Sequence, residues 1–76
     1  MSDNMTLLQT ISDRLRSIPD KSIFAEAIRN GVDSDPEGVM VMIVDQASDN
    51  RPALNKIIGR PLLLVVIDYV RLKKSL

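Results

Sequence analysis

The hydrophobic positions near the start of the chain recur every three or four residues, with mostly polar residues between them. They are Leu8, Ile11, Leu15 and Ile18. One face of an α-helix collects residues at this interval, so the pattern predicts an amphipathic first helix. Pro19 follows directly and predicts the end of that helix, because proline breaks a helix interior.

A second helix is predicted to follow Pro19. Either Asp20 or Ser22 can cap its first turn, because both side chains carry an oxygen that accepts a backbone N–H. Its apolar residues are Ile23, Phe24, Ala27 and Ile28. We expect this helix to stop at Gly31, because glycine readily adopts the left-handed conformation that ends many helices.

The third segment begins with a strong start signal and continues into an ambiguous apolar run. Residues 34–37 read Ser-Asp-Pro-Glu, which combines a capping side chain, a first-turn proline and an acid near the positive helix end. Residues 39–44 are all apolar, and such a run fits a buried strand as well as a helix. The start signal and the helix-compatible residues 45–47 favour a helix, with a strand as the alternative.

Two further helices complete the prediction. Asn50 can cap a short fourth helix that ends at Gly59, and Pro61 begins a last helix that runs to about Lys74. Short helices joined by tight turns predict an all-α fold. We expect one domain over residues 1–76, built as a compact orthogonal or irregular bundle of four to five short helices.

The last helix is apolar around almost its whole circumference. A helix of this kind is normally buried in the centre of a fold, but four short helices can hardly cover it on every side. Part of it therefore either completes the core or forms a partner surface together with Met40 and Met42, since exposed apolar patches usually mark interfaces. The residues of this helix that we assign to the partner surface are Val66, Tyr69 and Val70.

Charge is segregated along a chain whose formal net charge is zero. Residues 30–50 hold five acids and no base, whereas residues 51–76 hold six bases and only Asp68 as an acid. Asp68 is expected to face Arg71, its neighbour one helical turn away. Segregation of this kind suits solvated faces with helix-dipole matching, or complementary patches for a partner or for self-association.

The residue types present exclude several kinds of chemistry. The chain contains no Cys and no His, so it can form neither a disulfide nor a thiolate or imidazole zinc site. Residues 33–38 imitate the first half of a calcium-binding EF-hand loop, but the twelfth position, where the loop needs a bidentate Glu, is Val44. No motif for a nucleophile or a phosphate-binding loop is present, and we expect neither an enzyme nor a cofactor.

A helix-turn-helix pattern is also weak. Ala27 and Gly31 have the spacing of its small residue and turn glycine, but the helix that would enter DNA begins with Asp33, Asp35 and Glu37. Phosphates repel these carboxylates. Nucleic-acid binding therefore stays the alternative function, in a small transcriptional regulator that uses the basic C-terminal third.

The leading prediction is a non-catalytic protein-interaction module: an adaptor, assembly factor or inhibitor of a larger protein, and a homodimer. The chain has no signal-peptide pattern and no apolar run long enough to span a membrane, so we expect a cytoplasmic protein. Substitution of Val66 or Met42 by Asp is expected to disrupt association. The predicted partner-binding residues are Asp33, Asp35, Glu37, Met40, Met42, Asp45, Asp49, Val66, Tyr69 and Val70.

Overall fold

A computed structural model describes the backbone of residues 3–75 and the side chains of residues 6–75. Over the described residues the chain forms helices and no strand. The helices are α1 (Asp3–Arg16), α2 (Ile23–Ser34), α3 (Pro36–Ile58) and α4 (Arg60–Ser75). The all-α bundle predicted from the sequence is confirmed.

The segment between α1 and α2 is held by capping and by one arginine. Ser22 caps α2, since its Oγ accepts the backbone N–H of Ala25 at 3.1 Å. Asp20 in turn accepts the backbone N–H of Ser22 at 2.8 Å, so both candidate capping residues take part. The Arg29 guanidinium donates to the carbonyls of Ile18 and Asp20 at 2.9 and 2.6 Å, and thereby fastens the connecting segment to α2.

The predicted helix stop at Gly31 is wrong, because α2 continues through Gly31 to Ser34. A Cβ atom at Gly31 would lie 2.9 Å from Cγ2 of Val39 on α3. Glycine is needed here for the close approach of two helices, not for a left-handed turn.

Asp35 is the single residue between the end of α2 and the start of α3. Its backbone N–H donates to the Gly31 carbonyl at 2.9 Å, and its carboxylate accepts the backbone N–H of Gly38 at 3.1 Å. Pro36 occupies the first turn of α3. The start signal is therefore confirmed, and residues 39–44 form a helix rather than a strand.

The predicted fourth helix is the continuation of α3 beyond a kink. Asn50 has non-helical dihedral angles of φ −149° and ψ 67°, and Pro52 lies just beyond it. Gly59 then ends α3 with φ 94°, a conformation that favours glycine. Its carbonyl accepts the backbone N–H of Leu63, so the same residue also starts α4.

The core is aliphatic and draws on all four helices. Its largest fully buried side chains are Ile11, Leu15, Ile28, Val32, Met40, Ile43, Leu63 and Val66. Helix α4 packs mainly on α3, and α1 contacts both. The molecule measures 35 × 23 × 19 Å along its principal axes.

Candidate interaction surface

The structure buries four of the residues that the sequence assigned to a partner surface. Met40 and Val66 have 0% of their surface exposed, and Tyr69 and Val70 have 5%. These side chains fill the core of the single chain, because α1 and α3 cover more of α4 than the sequence suggested. Met42 is half-buried against the core. A partner surface on this chain must therefore be built from other apolar side chains.

The outward side of α4 supplies such side chains. Val65 is 41% exposed and Leu72 is 62% exposed. They stand seven residues apart, which places them about 20° apart on a helix of 3.6 residues per turn. We call these two residues the α4 edge. The sequence did not single out these two residues, because their spacing identifies an outward face only when the buried side of α4 is known.

The five predicted acids are all exposed, but three of them serve contacts within the chain. Asp33 accepts from Nε of Arg16 at 2.8 Å, and the Oε2 atom of Glu37 lies 3.0 Å from Nζ of Lys73. Asp35 caps α3 through its carboxylate. Among the described residues, Asp45 and Asp49 form no ion pair with any base.

Arg16 contacts two carboxylates, one on its own helix α1 and one on α2. Its Nη1 lies 2.7 Å from the Asp13 carboxylate, while its Nε donates to Asp33. The hydrogen bond from Arg16, followed by one from Gln9, holds the pKa of Asp13 below its ordinary value. The contact with Glu37 likewise raises the pKa of Lys73. These groups are well exposed, so their ion pairs orient helices more than they stabilise them.

A shallow groove between α3 and α4 brings two arginines to one place. Arg51 and Arg71 both line it, together with Ser48. Its apolar lining consists of Val44, Ala47 and Ile67. The ion pair expected between Asp68 and Arg71 is not formed within the described part of the chain. Sequence analysis counted both arginines in the basic third without placing them together.

The other bases of the C-terminal third lie elsewhere. Lys56 lines a groove with Pro19 and Asp20, at the α3–α4 corner. Lys73 and Lys74 line another groove with Glu37. Five of the six bases are thus divided among three separate grooves, and two of these grooves include an acid. Nucleic-acid binding stays a prediction that this distribution does not favour.

Neither a metal-binding cluster nor a membrane-spanning helix occurs within the described range. No cluster of three or more acidic, His or Cys side chains between residues 6 and 75 is arranged to hold a metal ion. No helix among residues 3–75 is long and apolar enough to cross a membrane. The Asp35 carboxylate in the EF-hand-like segment is engaged in capping α3.

No family model, curated protein or solved structure matched this chain in comparisons with known proteins. The function therefore has to be inferred from the surface of the chain itself.

Proposed function

We propose that this protein is a non-catalytic protein-interaction module that works as a homodimer. It serves a larger protein as an adaptor, an assembly factor or an inhibitor. The α4 edge is the observation that carries the proposal of a protein-interaction module.

The α4 edge remains exposed after the core has closed. Helix α4 buries six apolar residues: Leu62, Leu63, Val66, Ile67, Tyr69 and Val70. Val65 and Leu72 belong neither to the buried core nor to the partly buried side chains packed against it, and both are large aliphatic residues with substantial exposure. Single exposed aliphatic residues are ordinary, whereas two aligned on one helix face offer the apolar centre that protein interfaces use.

An exposed charged residue adjoins the two apolar residues of the α4 edge. Asp68 lies between Val65 and Leu72 along the same side of α4, and it is exposed. A polar, solvated rim around an apolar centre is the usual anatomy of a non-obligate interface. Such a rim adds specificity and association rate more than affinity.

Replacement of Leu72 by Lys tests the proposal. Lys is compatible with the last turn of a helix, so the fold should survive while the α4 edge loses the more exposed of its two apolar side chains. The matched control is Ser75→Lys, which adds the same charge one turn away. Tagged chains are used as bait in extracts of the source cell, and helical content is checked by circular dichroism.

We expect a protein that co-elutes with the wild-type chain and with the Ser75→Lys variant to be lost with Leu72→Lys. Equal recovery on all three chains would exclude the α4 edge as the binding surface. The Val66→Asp variant suggested by the sequence is unsuitable, because a charge at a fully buried position unfolds the core.

A further inference from the structure

Opposite charges flank Ser48 on α3. Asp45 lies three residues before it, Arg51 lies three residues after it beyond the kink at Asn50, and both charged side chains are exposed. Neither forms an ion pair among the described residues. The Ser48 hydroxyl donates to the Val44 carbonyl at 3.2 Å, so its hydrogen-bonding need is met inside the helix. Ser48 is therefore a small side chain that needs no hydrogen-bond acceptor outside its own helix.

The positive half of the arrangement is reinforced from α4. Arg71 lines the same groove as Arg51 and Ser48, and the groove holds a volume of about 100 Å³ with no carboxylate in its lining. Two guanidinium groups at one groove repel each other, and a carboxylate placed between them relieves that repulsion. The groove therefore suits an acidic side chain supplied from outside the chain.

We infer that this chain pairs with a second copy of itself through a self-pairing face formed by Val44, Asp45, Ser48, Arg51 and Arg71. The inference rests on the homodimer in the proposed function and assigns its surface. In a two-fold interface each contact occurs twice, with the roles of the two copies exchanged. When two α3 helices cross antiparallel at Ser48, Asp45 of each copy is directed to the groove beside Ser48 that Arg51 of the other copy lines.

The same crossing satisfies the remaining requirements of a helix contact. Ser48 lies at the crossing point, where a small side chain permits close approach of the two helix axes. Asp45 of the second copy reaches the groove that Arg51 shares with Arg71, so each carboxylate meets two cations. Val41 and Leu64, which are 41% and 40% exposed, supply further aliphatic surface on α3 and α4.

Charge reversal with complementation tests this surface. Asp45→Arg places an arginine opposite Arg51 of the second copy, and Arg51→Asp places two carboxylates opposite each other. Because both repulsive contacts occur twice per dimer, each single variant should dissociate at a protein concentration at least about tenfold higher than the wild type. The masses of the chains are measured by sedimentation equilibrium over a wide range of protein concentration.

The two variants should rescue each other. In an equimolar mixture the arginine introduced by Asp45→Arg faces the carboxylate introduced by Arg51→Asp. The Asp45 and Arg51 side chains that remain, one on each variant, also meet. Native mass spectrometry should therefore show heterodimers of the two variants and few homodimers. Two control variants, Glu26→Arg and Lys21→Asp, reverse exposed charges outside the face and should leave the dimer unchanged.

The outcomes separate the surface from the proposed function. A wild-type dimer that survives both single reversals would overturn the self-pairing face and leave the homodimer standing. A wild-type chain that stays monomeric at every concentration would overturn the face and the homodimer together. Neither result touches the α4 edge, which has its own variant and control.

Discussion

At the scale of single residues, Arg16 is the surface side chain that contacts two carboxylates at once. One guanidinium serves Asp13 on its own helix and Asp33 on α2, at 2.7 and 2.8 Å. Sequence spacing can predict the contact with Asp13, which lies three residues away on the same helix face. The contact with Asp33 spans 17 positions and depends on how α1 crosses α2. No local pattern encodes that crossing, so the sequence placed Asp33 among the partner-binding residues.

Removal of the Arg16 charge should raise the pKa of Asp13. The carboxylate accepts its strongest hydrogen bond from Arg16, and this bond favours the charged form. In Arg16→Gln we therefore expect the Asp13 pKa to move up toward its ordinary value of 3.8. Carbon-13 NMR titration of the carboxyl group measures it, and Arg14→Gln is the control because Arg14 forms no ion pair with Asp13.

The lowered pKa of Asp13 also makes the free energy of unfolding depend on pH. A carboxyl group whose pKa is lower in the folded chain adds stability above its unfolded pKa, and this stability is lost as the pH falls through the folded value. The difference in unfolding free energy between the wild type and Arg16→Gln should therefore shrink on acidification below about pH 4. A difference that grows in acid would contradict the assigned hydrogen bond.

At the scale of helices, the residues that begin a helix were easier to identify from the sequence than the residues that end one. Asp35 and Pro36 act within one turn of the residues they cap, so their effect can be read without knowledge of the fold. Gly59 likewise ends a helix through its own dihedral angle. Gly31 differs because its role depends on Val39 of another helix. A glycine that permits helix contact looks the same in sequence as a glycine that ends a helix.

Substitution of Gly31 by Ala should distinguish these two roles. Ala favours a helix interior over Gly by about 1 kcal/mol, but its Cβ would lie 2.9 Å from Val39 Cγ2. Overpacking of this kind costs about 1–3 kcal/mol, so we expect Gly31→Ala to destabilise the chain by about 1 kcal/mol. In a Val39→Ala background the obstructing atom is gone, and the same substitution should stabilise by about 1 kcal/mol.

Urea unfolding of the four chains in this double-mutant cycle gives the coupling energy, for which we expect about 2 kcal/mol. Zero coupling, with the same loss from Gly31→Ala in both backgrounds, would mean that contact with Val39 is not the reason for glycine at this position.

At the scale of the whole molecule, the sequence left the packing of α4 undecided between core and interface. Six of its residues complete the core, while the α4 edge stays outside. The spacing of apolar residues could not distinguish the buried side of α4 from its exposed side, because apolar residues occupy nearly every position from Leu62 to Leu72. The division depends on where α1 and α3 lie against α4, and that is a property of the complete fold.

The two methionines of α3 allow a similar distinction between core and surface to be measured. Met40 is fully buried and Met42 is half-buried, although the sequence assigned both to the same partner surface. Truncation of a buried Met to Ala costs about 2–5 kcal/mol, and a chain of this length has a total stability of about 4–11 kcal/mol. Met40→Ala should therefore lower the urea midpoint sharply in one cooperative transition, whereas Met42→Ala should cost about 1 kcal/mol, since its side chain keeps part of its contact with water. Both are measured at one fixed protein concentration, because the proposed dimer would make stability depend on concentration. Equal losses in the two variants would show that the core does not divide α3 in the way the structure describes.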